Sequence, residues 1–263
     1  MGLVPTMGAL HRGHLSLVAA ARAGCDRVLA SIFVNPLQFG PGEDFERYPR
    51  DSQEDLAQLR AASVDAIYMP PVSEVYPVDF ATTVHVAGAG FDRFEGAARP
   101  GHFQGVATIV AKLFSATGPS RAYFSEKDAQ QAVIVARLAR DLDSGVEIEV
   151  CPIVRDPDGL ALSSRNVYLT PDQRPDALLL SRWLRECQLA FKAGEGLADR
   201  LRGRALAIFG DRGKIRLEYA DIVDPMTFAP LEFCAAGARL VIAARLVGLR
   251  LIDSATLGGR PIP

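Results

Sequence analysis

The sequence predicts a doubly wound α/β fold, a mostly parallel sheet with helices on both faces, followed by a second, smaller α+β domain. Three observations carry this. Apolar runs of strand length alternate with helical periodicities from the first residues to about Val154, the grammar of successive β-α-β units. The best of these runs, VLASIFV at 28–34, is continuously apolar, as a strand buried on both faces must be. After Val154 the pattern changes to a loop, two helices and three β-like segments. A chain of 263 residues, 49% hydrophobic and 23% charged, is long enough to build both parts.

Taken in order, Leu3-Val4 is a short strand that Pro5 should stop. Leu15, Leu17, Val18 and Ala21 recur at helical spacing, so the segment His11-Arg12-Gly13-His14 should open a helix. Asn35-Pro36 ends the strand at 28–34. The stretch QFGPGEDFERYPR at 38–50 is too rich in Gly, Pro and charge for a regular element. Residues 51–62 form an amphipathic helix and 66–69 a short strand, closed by Pro70-Pro71. A further strand is expected at 82–86, a glycine-rich loop at 87–101, a helix at 103–116, a strand at 121–124, a helix at 129–142 and a strand at 146–154. The domain boundary falls there, giving domains 1–154 and 155–263. In the second, 155–165 is loop, and Thr170-Pro171-Asp172-Gln173 is a capping box that should start a long helix running towards Lys192. A second helix ends near Phe209, and strands are expected at 215–223, 240–245 and 249–253.

The net charge of −2 argues against a nucleic-acid or membrane-surface role, since either needs a basic excess. The four cysteines, Cys25, Cys151, Cys187 and Cys234, show no Cys-x-x-Cys spacing, and nothing at the N-terminus reads as a signal peptide, so a cytoplasmic protein is expected. No apolar run reaches ~18 residues, the length of a membrane span.

The chemistry concentrates at strand ends. His11 and His14 stand three apart, hence on one face of a first helical turn. A helix start offers unpaired N–H groups and the positive end of the macrodipole, and Gly8 and Gly13 let backbone approach a ligand closely; together these suit a polyphosphate. The spacing is not that of a helical zinc pair, and His85 and His102 come from distant stretches. Four loops, 7–14, 35–48, 125–128 with Gln131, and 162–165, follow successive strands or the boundary, where a doubly wound sheet gathers its ligands. Lys127 can place an ammonium on a phosphate, and Ser163, Ser164 and Arg165 add donors. Gln38 and Gln131 are neutral amides suited to a polar substrate. Each of these residues alone has an ordinary structural use; their coincidence on ligand-facing loops carries the argument.

PTMGALHRGHLSL, SIFVNPLQFGPGEDFERYPR, SEKDAQQ and DGLALSSRNVYL resemble, in order, the signature stretches of the pantothenate synthetase family, nucleotidyltransferases with a HIGH-like motif. The likeness runs almost continuously over 4–169 and is weaker beyond, although RLVIAARLVGLRLID at 239–253 resembles the family's C-terminal segment. It implies a Rossmann-like nucleotide- and pantoate-binding domain and an ATP-dependent ligase that joins pantoate to β-alanine through a pantoyl adenylate, releasing AMP and pyrophosphate. Mg2+ and a homodimer come with it. By the same resemblance Met7, Gly8, Ala9, Leu10, His11, Arg12, Gly13 and His14 bind ATP, with His14 the proton donor and His11 its partner on the phosphates. Ser125, Glu126, Lys127, Asp128, Val154, Leu162, Ser163, Ser164 and Arg165 complete the nucleotide site, His11, His14, Lys127 and Arg165 being the catalytic set. Gln38, Gln131 and Asn35 hold the substrate. The segment at 38–50 is a natural lid over a water-sensitive mixed anhydride. The sequence departs from the family at Ser125, where the family reads glycine, and at Ala129, where it reads an aromatic. The family also carries an N-terminal extension ahead of the stretch equivalent to Val4. Two other readings stay open: another HIGH-type adenylyltransferase, and a catalytically impaired nucleotide-binding homologue.

Overall fold

The computed structural model describes residues 1–88, 90–210 and 213–262. Ala89, inside the loop expected at 87–101, and Pro263, the last residue of the expected second domain, lie outside the described residues. The chain forms two compact units, Met1–Ser125 with Gln130–Pro152, and Glu126–Ala129 with Ile153–Pro263. The sequence predicts a boundary after Val154; these units divide after Pro152, and the short segment Glu126–Ala129 belongs to the second.

The first unit runs β1 (Gly2–Thr6), α1 (Arg12–Gly24), β2 (Val28–Ile32), a 3-10 turn (Pro36–Gln38), α2 (Ser52–Ala61), β3 (Ala66–Tyr68), α3 (Val72–Val75), α4 (Glu95–Ala98), α5 (His102–Thr117), β4 (Arg121–Ser125), α6 (Ala129–Asp141) and β5 (Glu147–Cys151). Among the described residues its sheet has five strands in the order β3-β2-β1-β4-β5, every pair parallel. Successive strand residues point to opposite faces. Val4, Ala30, Ile32 and Tyr123 therefore join Leu17, Val18 and Ala21 of α1 and Leu59 of α2 in one core layer. Leu3, Ala122 and Phe124 join Val106, Val110 and Leu113 of α5 and Val135 and Leu138 of α6 in the other. The sheet is covered on both faces, as the continuous apolar runs predict.

The chain order turns back between β1 and β4, the switch point of this topology. There the two strands part early: β1 pairs with β4 only at Gly2↔Arg121 and Leu3↔Ala122, but follows β2 as far as Thr6↔Ile32. Pro5 lies within β1 and does not stop it. It falls where the β4 side has already opened, so one neighbour is spared a missing donor. The expected strand at 82–86 is absent among the described residues: Val84 N–H donates to Thr108 Oγ1 at 2.9 Å and Thr83 Oγ1 accepts from Gln104 at 2.7 Å, so α5 side chains replace a partner strand. β5 is shorter than expected, because Pro152 follows Cys151.

The second unit opens with a 3-10 turn (Glu126–Asp128) and continues with another (Ser164–Tyr168), α7 (Arg174–Ala177), α8 (Leu179–Lys192), α9 (Ala198–Phe209) and β6 (Ile215–Val223), β7 (Arg239–Leu246) and β8 (Leu249–Thr256), which pair antiparallel in that order. The long helix does not begin at Pro171. Pro175 lacks the N–H that a turn starting there would need, so helix starts afresh at Arg174 with Pro175 in its first turn. Half of the capping box survives, Gln173 Oε1 accepting from Thr170 N at 3.1 Å. Trp183, fully buried, donates its indole N–H to Leu201 O at 3.1 Å and packs in the core of α8, α9 and the sheet.

Candidate active site

The turn from β1 to α1 is held by a residue far along the chain. Thr6 Oγ1 donates to Ser31 O at 2.7 Å and accepts from Gly8 N at 3.2 Å. Gly8 and Ala9 then take positive φ, 78° and 49°. This points the N–H groups of Ala9 and Leu10 at the two carboxylate oxygens of Asp55, which accept them at 2.9 and 2.8 Å. Asp55 is only 2% exposed, one turn before the buried Leu59 on α2. The chain then enters α1 with His11 as N-cap, whose Nδ1 accepts from Gly13 N at 3.1 Å. That hydrogen bond leaves the ring proton of the neutral imidazole on Nε2. The His11 and His14 rings lie 4.1 Å apart, centroid to centroid, so the two expected phosphate donors do share one face.

A second group of residues meets this corner. Gln38 is 9% exposed; its Nε2 donates to Met7 Sδ at 2.8 Å and its Oε1 accepts from Asn35 Nδ2 at 3.1 Å. Asn35, expected at the substrate, is 1% exposed. Its Nδ2 also donates to Gly105 O at 3.0 Å, and its Oδ1 accepts from Tyr76 Oη at 2.8 Å and Leu37 N at 3.3 Å. The amide is thus fully committed inside the protein, so Asn35 positions Gln38 rather than reaching a ligand. Gly105 is required for this approach, since a Cβ there would lie 2.3 Å from Leu37 O. The backbone carbonyl of Gln38 accepts from Arg99 Nη2 at 3.1 Å and is 2.8 Å from His102 Nδ1, while Arg99 grips both oxygens of Glu43 at 2.8 and 2.7 Å. Burial alone would raise the Glu43 carboxyl, but the Arg99 hydrogen bonds and charge outweigh it and leave it below the usual range. Gln131 is half-buried near the start of α6. Its neighbour Gln130, 4% exposed, holds the preceding loop through Glu95 N, Gly90 O and Arg93 O.

Ser125 closes β4 in register with Cys151 and is not among the residues at positive φ. In the second unit, Lys127 is 16% exposed and pairs with Asp128 at 3.2 Å. Val154 and Leu162 are brought together, Val154 O accepting from Leu162 N at 3.0 Å beside the bridge Arg155↔Ala161. Ser163 caps the next 3-10 turn through Arg165 N at 3.3 Å, which sets Ser164 and Arg165 at its start. Among the described residues, no group of three or more His, Cys, Asp or Glu is placed to hold a metal ion, and no helix is long and apolar enough to cross a membrane.

Sequence reasoning does not reach Asp55, Arg99 or His102. Asp55 carries a signal, an acidic residue on the same helical face as Leu59; a charge on an apolar stripe asks for a partner. Arg99 and His102 show none, because what they bind is a carbonyl.

A family model described as pantoate-beta-alanine ligase matches residues 1–256. The pantothenate synthetase of Acidobacterium capsulatum is 50% identical over 261 residues, 99% of this chain and 87% of its own, and that of Roseiflexus sp. is 52% identical over 97% and 92%. A crystal structure of pantothenate synthetase from Thermus thermophilus superposes with a TM-score of 0.94 at 50% identity, covering 97% of this chain and 92% of that one. The pantoate-beta-alanine ligase of Francisella tularensis, solved with beta-gamma ATP and beta-alanine, gives a TM-score of 0.81 at 33% identity, covering 99% and 90%.

Proposed function

The chain belongs to the pantoate–β-alanine ligase family and joins pantoate to β-alanine with ATP; we propose that the β1–α1 corner and its Gln38 neighbour carry the first half-reaction. The observation behind this is the Asp55 clamp. A buried carboxylate fixes the backbone of Ala9 and Leu10, so the two imidazoles that follow are preorganised before nucleotide arrives.

A carboxylate is a poor electrophile, so pantoate must be activated. Its carboxylate oxygen attacks the α-phosphorus of ATP, a new O–P bond forms and the bond to the bridging oxygen breaks, releasing pyrophosphate. The β-alanine amine then attacks the acyl carbon, AMP leaves with the bonding pair, and the amide nitrogen loses its proton. Negative charge develops on the phosphates in the first step. His11 Nε2–H, His14, Lys127 and Arg165 are the donors assigned to it, with residues 7–14, Ser125–Asp128, Val154 and Leu162–Arg165 lining the nucleotide. Gln38, held by Asn35, and Gln131 orient pantoate. The carboxyl-end loops of the first unit thus bind nucleotide and pantoate. Mg2+ would come bound to the triphosphate, in keeping with that cation's preference for water and phosphate oxygens, and would there offset phosphate charge. A cytoplasmic homodimer completes this reading; the four free cysteines support the compartment and the family resemblance the assembly.

With pantoate alone, labelled pyrophosphate should exchange into ATP, and β-alanine should be needed only for AMP release. Strict dependence of exchange on β-alanine would overturn the two-step scheme.

A further inference from the structure

Two segments of the second unit carry its proposed nucleotide contacts: Glu126–Asp128 with Lys127, and 154–165 with Arg165. Both are tied to the same two residues of β8. Ser254, 1% exposed, donates its hydroxyl to Glu126 O at 2.6 Å. Asp253, 5% exposed, takes Arg155 in a two-pronged pair, Nη1 to Oδ2 at 2.6 Å and Nη2 to Oδ1 at 2.8 Å. Arg155 Nη2 also donates to Ser254 O at 3.1 Å and Nη1 to Gly159 O at 3.0 Å, which folds the 155–159 turn back so that Val154 meets Leu162. Arg239 on β7 adds a pair with the Glu126 carboxylate at 3.2 Å.

The arrangement follows from strand geometry. Adjacent residues of a strand present side chains to opposite faces, and β8 lies at an edge of its sheet. Asp253 shares the face of Leu251 and Ala255, which pack in the helix-covered core, and Ser254 takes the other. One dipeptide therefore anchors Arg155 from one side and the carbonyl just before Lys127 from the other. A carboxylate this buried is tolerated only when paired, and Asp253 also accepts from Ser254 N at 2.7 Å.

We propose that Asp253 and Ser254 are positioning residues for adenylation: they set the backbone from which Lys127 and Arg165 reach the nucleotide phosphates. The proposal rests on the reading of Lys127 as a phosphate donor, and the test separates the two. Pyrophosphate exchange is measured for the full chain carrying Ser254→Ala, Lys127→Ala and both, with melting temperatures alongside. Ser254→Ala should lower kcat/KM for ATP about 10-fold, a loss typical of a displaced group, with the KM for pantoate unchanged. In the Lys127→Ala background it should have an effect below about twofold, because a residue acting through Lys127 has nothing left to position. Multiplicative losses in the double variant, or equal damage to ATP and pantoate kinetics, would overturn the inference. Wild-type exchange in Lys127→Ala would instead remove the reading beneath it. If Ser254→Ala does not fold, Arg239→Gln, which loosens Glu126 from its carboxylate side, is compared by the same criteria.

Discussion

The carboxylate of Asp55 lies where a side chain on Gly8 would begin: a Cβ at Gly8 would stand 2.6 Å from Asp55 Oδ2. Gly8 and Asp55 are therefore one feature, a positive-φ turn and the acceptor it wraps. Asp55→Ala should leave the buried Leu10 N–H without its acceptor, at about 1–3 kcal/mol. Gly8→Ala should lose a similar amount through strain and the clash. Urea unfolding of both variants checks this; midpoints equal to wild type would contradict the clamp.

Lys127 and His14 are assigned to charge that develops during reaction, so their removal should affect rate more than folding. Lys127→Ala or His14→Ala should lower single-turnover adenylation by at least ~10²-fold, as for one preorganised donor, with a melting temperature close to wild type. Near-normal adenylation in either variant would refute the role.

His102 gives the first unit a pH dependence of known sign. Burial, and then the charge of Arg99, push its imidazole down to about 4, outweighing the Gln38 carbonyl and the Glu95 and Glu43 carboxylates, which favour the cation. Unfolded, the ring binds a proton below about 6.5. Between these values the unfolded state holds more protons, so the contribution is complete above pH 6.5 and is lost as pH falls towards 4, on the order of 3 kcal/mol in all. Glu43, whose carboxyl is lowered, adds a loss of the same sign beginning nearer its ordinary 4.5. His102→Gln keeps a donor for the Gln38 carbonyl and should flatten the upper part of the curve. Denaturant unfolding at about pH 7 and about pH 5 measures the difference; an unchanged slope in His102→Gln would refute the assignment.

The resemblance of SEKDAQQ to the family's stretch implies a glycine where this chain has Ser125. Ser125 ends β4 in an ordinary strand ladder, so glycine's access to positive φ is not required there. Ser125→Gly should leave ATP affinity close to wild type, and Ser125→Ala should weaken it by about 1 kcal/mol if the hydroxyl serves a phosphate oxygen. Titration of ATP against both variants decides, a clear gain in Ser125→Gly counting against it.

Local chemistry determined much of this protein. Apolar runs of strand length placed the buried strands, and the His11–His14 spacing placed both rings on one helical turn, because periodicity and capping act over a few residues. The strand ends of the first unit then gathered its expected ligand-facing loops, because a parallel sheet puts its carboxyl edges together. What only the tertiary structure decided were the long-range polar contacts. Pro5 is admitted to β1 because β4 has already turned away. Residues 82–86, strand-like in composition, stay irregular because Thr108 and Gln104 of α5 meet them first. Asn35 is drawn inside by Tyr76 and Gly105, and Asp253 and Ser254 gain their meaning from Arg155 and Glu126, 98 and 128 residues earlier. A hydrogen bond is directional and needs its partner at about 3 Å, and no periodicity in the chain records where a partner that distant in sequence will lie.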